Sequence, residues 1–257
     1  MVFDISPLWI SVKVAICATI ITFFLGILAA RYVCTLKRGR VIIDTLLSLP
    51  MVLPPTVVGF FLLIIFGKNS PLGMVLYDMG IRVVFTVGGA VIASVVVSFP
   101  IMYRTALGAF EQVDTELIDM ARVLGYGERA IFTKVWIPLS WPGIAAGATL
   151  SFARSLGEFG ATIMIAGNLP GTTRTMSAAV YSAMQSGDRS LAYRWVMIIL
   201  LISMCILLLM NLWSSSRYRT DDRKKNVMKR MKVTNVSLEE KKQVINTHED
   251  NAGAGRA

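Results

Sequence analysis

Five long runs without a single charged side chain constrain this chain more than any other feature. They cover residues 14–30, 45–66, 83–103, 135–153 and 195–216. Each run has roughly the 17–25 residues that cross the hydrocarbon core of a bilayer as an α-helix. Inside lipid, a helix satisfies all its own backbone hydrogen bonds. The runs therefore predict an all-α polytopic membrane protein with five transmembrane helices.

A further apolar piece, residues 159–173, is shorter and interrupted. Its helical pattern is broken by Gly160, Gly167, Pro170 and Gly171. Three interpretations stay open: the far end of the fourth span, a re-entrant segment, or a sixth span.

The distribution of basic residues predicts the orientation of the spans. With five spans, the loops 31–40 and 104–134 and the tail from Arg217 share one side and carry 19 of the 26 Lys and Arg residues, whereas the opposite loops carry 6. Cytoplasmic loops are enriched in Lys and Arg, so the C-terminus is expected in the cytoplasm and the N-terminus outside. The first dozen residues contain Asp4 and no basic residue, unlike a cleavable signal peptide.

The formal net charge of +10 does not indicate nucleic-acid binding, because half of it lies in a tail without nucleic-acid-binding features. Residues 217–257 hold 11 Lys and Arg against 6 Asp and Glu, with almost no aromatic side chains, a composition typical of disorder. The whole segment 214–257 is thus expected to be a basic, disordered cytoplasmic tail. It either anchors to anionic membrane lipid or binds a regulator or partner.

No catalytic or metal-binding site is predicted. The cysteines, Cys17, Cys34 and Cys205, are far apart and lack metal-ligand spacing, and His248 is the single histidine. No Walker loop, dinucleotide fingerprint or HExxH motif is present. We therefore expect no cofactor, no metal and no ATP hydrolysis by the chain itself, which is not an enzyme.

The polar segment after the third run predicts a short amphipathic helix that ends in a tight turn. Asp114 is a suitable N-cap, and Glu116 in the first turn suits the helix dipole. One apolar stripe is formed at helical spacing by Leu117, Met120, Ala121 and Leu124. Gly125 stands where a left-handed C-terminal cap is expected, and where a larger side chain would clash.

A second helix is expected from Glu128 to Ile137, until Pro138 begins the next span. The product is a helix–turn–helix that lies flat at the cytoplasmic face, and taken alone it could also be a mere interfacial helix pair. A membrane protein that only formed a pore would not need such an element, whereas one driven by a cytoplasmic partner would.

This segment resembles the cytoplasmic signature of the integral membrane subunits of ABC importers. That signature reads Glu-Ala-Ala, three residues, Gly, nine residues, Ile-x-Leu-Pro. Here the same frame is occupied by Asp119, Met120, Ala121, Gly125, Val135, Ile137 and Pro138. The resemblance implies a type I ABC importer permease fold over residues 5–213, with 114–137 as the coupling helix pair that docks in a groove of an ATPase.

Two further segments resemble molybdate importer permeases. They are Leu49–Gly59, followed by Phe66–Gly73, and Leu156–Thr162, followed by Asn168–Thr175. Sulfate, thiosulfate and tungstate permeases share much of the Gly-Glu-Phe-Gly element at residues 157–160, so these substrates stay open as alternatives. An ATP-independent membrane channel or scaffold is the alternative of a different class.

The resemblance also implies partners and a location. Two copies of the permease would form the translocation path in a prokaryotic plasma membrane, with two cytoplasmic ATPase subunits below and an extracytoplasmic oxyanion-binding protein above. The outer segment 168–190 would meet the binding protein, or is an ordinary solvated loop.

Candidate pathway or gate residues lie in the second span. Pro50, Pro54 and Pro55 each remove an i→i−4 hydrogen bond, so the helix should bend there. Together with Thr56, this bend is either a flexible wall of the path or a permanent kink for packing.

Arg154 and Glu158 stand four residues apart at membrane depth, where an unpaired charge is expensive. We expect them to pair with each other; direct contact of Arg154 with the passing anion is the alternative. The polar side chains of Ser151, Ser155 and Thr162 are expected to line the path.

Overall fold

The computed structural model describes residues 4–36, 38–206 and 208, and every regular element in this part of the chain is helical. The helices are α1 (Ser6–Thr35), α2 (Arg40–Val52), α3 (Pro55–Phe66), α4 (Pro71–Asp78), α5 (Val87–Glu111), α6 (Thr115–Val123), α7 (Glu128–Ile131), α8 (Ile137–Leu156), α9 (Gly160–Ala166), α10 (Met176–Gln185) and α11 (Arg189–Ile206). The basic tail predicted for residues 214–257 lies outside the described residues.

The centre of the bundle is the contact of α5 with α1 and α8. Small residues allow α5 and α8 to approach closely: an added Cβ at Gly143 would lie 2.5 Å from Ala109 Cβ, and one at Gly147 would lie 3.0 Å from Thr105 Cβ. These pairs run in opposite directions along the two helices, so α5 and α8 are antiparallel. Small residues at such interfaces are typical of helices packed in membranes.

Three described helices are long and apolar enough to cross a bilayer alone: α1, α5 and α11. The pair α2 and α3 would make a fourth crossing if it counts as one span. α8 has 20 residues, but its Pro, Ser and Gly residues and Arg154 make it less apolar. The polytopic helical class is confirmed, whereas the number of five crossings stays a prediction.

The second apolar run, residues 45–66, is not one helix. α2 ends at Val52, α3 begins at Pro55, and their axes differ by 107°. Pro54 and Pro55 cannot donate backbone hydrogen bonds, and Pro54 has the extended ψ of 133°. The bend predicted from these prolines is therefore present as a full change of direction, whereas Pro50 stays inside α2.

Polar contacts hold α2 against α5. The hydroxyl of Tyr103, a fully buried residue, donates a 2.8 Å hydrogen bond to Asp44 Oδ1, and Arg104 Nη1 lies 3.3 Å from Asp44 Oδ2. Arg40 and Glu111 form a second ion pair between the same helices. These polar contacts add to the apolar packing of Ile43 and Leu47 of α2 against the core cluster around Tyr103.

The interrupted piece 159–173 is not a separate span. Its helix, α9, has seven residues and is roughly 10 Å long, a third of the hydrocarbon core. α9 packs against α3 and α5, and Ala161 and Ile165 are fully buried in this contact. Gly167, with a positive φ of 71°, ends the helix.

We expect Gly59→Ala to destabilise the α3–α9 contact. An added Cβ at Gly59 would lie 2.7 Å from the backbone of Ala161, which cannot rotate away, and such overpacking costs about 1–3 kcal/mol. Gly108 in α5 is the matched control, because an added Cβ there has no described atom within 4 Å. The thermal unfolding midpoints of both alanine variants in one detergent check this, and equal midpoints would rule out the close approach.

Candidate functional site

The first helix of the predicted helix–turn–helix is present as α6. Asp114 is its N-cap, and the Asp114 carboxylate accepts a 3.0 Å hydrogen bond from the amide of Glu116. Glu116 lies in the first turn and Arg122 in the last, so both charges complement the helix dipole.

The turn after α6 is a Schellman motif centred on Gly125. The amide of Tyr126 donates to the carbonyl of Ala121 at 3.1 Å, and the amide of Gly125 donates to the carbonyl of Arg122 at 2.9 Å. Gly125 has a φ of +81°, so the predicted left-handed cap is confirmed. The expected clash is wrong, however: an added Cβ has no described atom within 4 Å. Conformation alone therefore requires glycine here.

Arg122 joins the two arms of the element. Its Nη1 lies 2.8 Å from Asp119 Oδ1, and its Nε lies 2.9 Å from Glu128 Oε1. The hydrogen bond from Arg122 lowers the pKa of the Glu128 carboxyl below its ordinary value. A lowered pKa means that this contact contributes fully above the ordinary pKa and is lost only as the pH falls through the lowered one. Asp119 thus pairs with Arg122 on the same helix, and the contact of Arg122 with Glu128 spans the turn.

The buried face of α6 is narrow. Ile118 and Ala121 are 6% and 7% exposed and pack with Val113 and Ile131. The predicted apolar stripe correctly includes the buried Ala121 but leaves out Ile118. Ile118 is buried because Ile131 of α7 packs on its side of α6. Sequence spacing alone does not show where α7 packs.

Five apolar side chains of α6 and of the turn after it are open to solvent. They are Leu117, Met120, Val123, Leu124 and Tyr126, and each is between 45% and 88% exposed. We call these five residues the open face. A contiguous apolar patch on a polar loop marks a contact surface for another molecule.

The second arm does not stop before the next span. After α7, residues Phe132–Trp136 form a π-helical turn that continues directly into α8. Pro138 lies in the first turn of α8, as expected, but no break in the helical path precedes it. Proline interrupts the i→i−4 ladder, and the widened turn stands just before that interruption.

An aromatic cluster surrounds the π-helical turn. The Phe110 ring centroid lies 5.9 Å from that of Phe132 and 5.4 Å from that of Trp136. The Arg31 guanidinium lies 4.1 Å from the Phe132 ring centroid, a cation–π contact. This cluster ties the start of α8 to α1 and α5. The sequence interpretation missed it, although aromatic residues four apart beside Pro138 were a usable signal.

The two segments around Pro55 and Gly160 lie against each other. An added Cβ at Gly160 would lie 3.0 Å from Pro55 Cβ and 3.2 Å from the amide nitrogen of Thr56. Pro54 is the N-cap of α3. The proline bend and the Gly-Glu-Phe-Gly element therefore form one joint between α3 and α9.

Arg154 and Glu158 are paired, as their spacing predicts. Arg154 Nη1 lies 2.6 Å from Glu158 Oε2. The two atoms form an ion pair, but their relative orientation is not that of a hydrogen bond. The other carboxylate oxygen accepts a 2.8 Å hydrogen bond from the amide of Ala161 in the first turn of α9. Glu158 is 2% exposed, whereas one third of the Arg154 side chain is accessible. The pair thus links the end of α8 to the start of α9.

The hydroxyl residues expected along the path are buried within one protomer. Ser151, Ser155 and Thr162 are 0%, 4% and 2% exposed. Ser151 Oγ donates to the carbonyl of Ser98 on α5 at 3.4 Å. Because they are buried, these three residues do not line an open path in this conformation.

Known proteins share both the sequence and the fold. The molybdenum transport system permease protein ModB of Escherichia coli (strain K12) is 43% identical over 212 residues, which cover 79% of this chain and 92% of ModB. The Haemophilus influenzae ModB is 37% identical over 218 residues, which cover 83% and 94%. A chain in the crystal structure of a bacterial ABC transporter involved in the import of the acidic polysaccharide alginate superposes with a TM-score of 0.69 at 18% identity, covering 82% of this chain and 78% of that one.

The family comparison covers most of the protein. Residues 22–217 match the family described as the binding-protein-dependent transport system inner membrane component. That range includes the open face, the aromatic cluster and the Arg154–Glu158 pair. The chain therefore belongs to this family of inner membrane components, and it is a transport subunit rather than an ATPase.

Proposed function

We propose that this chain is the permease subunit of an ATP-driven importer that carries molybdate across the prokaryotic plasma membrane. The open face carries the proposal, because a subunit without its own ATPase motif needs a surface through which another protein drives it. The 43% identity to a molybdenum permease supports the choice of oxyanion. Sulfate, thiosulfate and tungstate remain the alternatives within the family.

The assembly we propose has two copies of the permease, two ATPase subunits on the cytoplasmic side and an oxyanion-binding protein outside. In this assembly the chain crosses the membrane five times, and the crossings are α1, the α2–α3 pair, α5, α8 and α11. This arrangement puts the helix–turn–helix on the basic, cytoplasmic side. The N-terminus is then outside and the C-terminus inside. The charge distribution between the loops supports this orientation.

Docking of an ATPase on the open face would move the α6–α7 arm. Since α7 continues through the π-helical turn into α8, the displacement reaches the span directly. The displacement is also transmitted to α5, through the contacts of Phe132 and Trp136 with Phe110. It reaches α1 through the contact of Phe132 with Arg31.

At its far end, α8 acts on the joint between α9 and α3. The Arg154–Glu158 pair and the Ala161 amide tie the end of α8 to α9, and Gly160 rests on Pro55 and Thr56. A tilt of α8 would therefore move the 107° bend between α2 and α3. We assign the gate to this bend, with Pro54, Pro55 and Thr56 as its moving wall.

In this proposal Arg154 stabilises the gate and does not bind the transported anion. Its guanidinium is neutralised by Glu158, so it offers no free charge that would retain an oxyanion after each cycle. Weak binding along the path suits a transporter that must release its substrate, and selection among oxyanions is left to the binding protein.

The open face supplies the test of the proposal. We expect Met120→Glu to weaken binding of the ATPase subunit by about tenfold, because it places a charge in a dehydrated contact. Met79→Glu is the matched control, since Met79 is 68% exposed and Met120 61% exposed but Met79 lies in the loop assigned to the other side. Co-purification of the ATPase and ATP-driven uptake of molybdate into proteoliposomes with the binding protein are the measurements.

Two results would contradict the proposed function. Equal co-purification with the Met120 and Met79 variants would remove the open face as the docking surface. Oxyanion flux without ATP would support a channel instead. Competition of sulfate or tungstate with molybdate uptake separates the alternatives within the family.

A further inference from the structure

A cavity of about 940 Å³ lies at the opposite end of α8 from the open face. It is half open and is bordered by the start of α1, by α10 and by the start of α11. Its charged lining residues are Asp4, Asp188, Arg174 and Arg194, its neutral polar ones include Ser182, Gln185 and Ser186, and its apolar ones include Pro7, Ala179, Ala183, Leu191 and Trp195. The lining is therefore amphipathic, and most of it belongs to the outer segment 168–190.

The carboxylates of the cavity are already occupied by the chain's own groups. Asp4 accepts hydrogen bonds of 2.9 Å from the amide and from the hydroxyl of Ser6. Asp188 Oδ1 accepts one of 2.9 Å from the amide of Leu191, in the first turn of α11. The hydrogen bonds from Ser6 lower the pKa of the Asp4 carboxyl, and the nearby Arg174 guanidinium lowers it further, although neither carboxylate lies within ion-pair distance of a described arginine of the cavity.

The guanidinium groups, in contrast, keep free donors. Arg174 donates through Nε to Asn168 Oδ1 at 2.9 Å, which leaves its two terminal nitrogens available. Among the described residues, Arg194 has no hydrogen-bond or ion-pair partner. Two guanidinium groups with free donors suit a tetrahedral oxyanion, which they bind through several N–H···O contacts.

The surroundings of the cavity have the character of a membrane interface. Trp9 on α1 and Tyr193 on α11 lie within two positions of the lining residues Pro7 and Arg194 and are 63% and 70% exposed. Such aromatic residues collect at the level of lipid headgroups. Below them, α11 exposes Met197, Leu200, Leu201 and Met204. A ligand with a polar head and an apolar tail would therefore find matching surfaces for both parts.

We propose that this cavity binds the phosphate of a membrane phospholipid, with Arg194 and Arg174 as its donors and the acyl chains along α11. Free phosphate or molybdate offers the same tetrahedral oxyanion chemistry. The apolar half of the lining and the exposed side of α11 favour the lipid. The proposal is independent of which anion the protein transports.

The test compares two arginines of the same helix. Arg194→Gln removes a donor of the cavity, whereas Arg189→Gln removes an equal charge from the start of α11 outside the lining. The delipidated full transporter is titrated with phosphatidylglycerol, and native mass spectrometry counts the bound lipids. We expect one lipid to bind per permease copy. Its affinity should be about tenfold lower in the Arg194 variant, because a charge-assisted hydrogen bond is lost. Its affinity should be unchanged in the Arg189 variant.

Several controls make the outcome decisive. Diacylglycerol, which lacks the phosphate, should show no difference between wild type and the Arg194 variant, and the thermal unfolding midpoint verifies that this variant folds. Equal losses in both arginine variants, or no loss in either, would overturn the proposal.

The other possible occupants give distinct results. Displacement of the lipid by millimolar inorganic phosphate or molybdate would assign the cavity to a free anion. Loss of stimulation by the binding protein, with lipid binding unchanged, would assign it to a protein contact. Either result overturns the lipid site.

Discussion

Valine at position 125 should abolish most ATP-driven uptake while the partner ATPase still hydrolyses ATP. Gly125 has a φ of +81°, a left-handed conformation that costs a β-branched residue about 1–3 kcal/mol. The Schellman turn would open, and the α6–α7 arm would lose its fixed angle. We expect uptake to fall by about tenfold, in proportion to the population of the native turn.

Two control variants separate conformation from bulk. Gly127 has a φ of −69°, and an added Cβ there also meets no described atom within 4 Å, so Gly127→Val adds the same side chain nearby without the strain. Gly125→Asn should keep much of the activity, since asparagine tolerates the left-handed region. Uptake and ATPase activity are measured in the same proteoliposomes. Normal uptake by the Gly125→Val variant would show that the turn does not couple the two subunits.

Removal of Arg154 should be the most destabilising of the substitutions considered. Glu158, at 2% exposure, would keep only the Ala161 amide as a partner. Breaking a buried ion pair costs about 3–5 kcal/mol. We expect about 2–3 kcal/mol for Arg154→Ala, because a third of the Arg154 side chain is exposed and solvent screens the pair in part.

A double variant tests whether the loss comes from the stranded carboxylate. Replacing Arg154 by Met and Glu158 by Leu removes both charges at similar volume, and such exchanges of buried pairs are often neutral. The double variant should therefore regain most of the stability in thermal and denaturant unfolding, although the link between α8 and α9 is lost. If it is as unstable as Arg154→Ala, packing rather than charge explains the effect.

Local chemistry made much of this structure predictable. The N-cap at Asp114, the left-handed Gly125 and the Arg154–Glu158 pair each depend on residues within four positions of one another. The apolar runs likewise predicted α1 and α5, because a bilayer requires a minimum length of uncharged helix.

Features that depend on distant parts of the chain were not predictable in the same way. The buried side of α6 is chosen by Ile131, which belongs to another helix. The prolines predicted a bend, but its 107° angle reflects the packing of α3 on α9 and the polar contacts of α2 with α5. The burial of Ser151 depends on α5, where the carbonyl of Ser98 accepts its hydrogen bond.

The π-helical turn at Phe132–Trp136 also determines the directions in which the side chains of α7 and of α8 point relative to each other. A regular helix advances by about 100° per residue, and a π-helical turn takes up about one residue more than an α-helical one. The side chains of α7 and those of α8 are therefore offset by roughly a quarter turn compared with an unbroken helix. One extra residue lets the same continuous helix direct Ile131 toward α6 at one end and Ile144 into the bundle at the other.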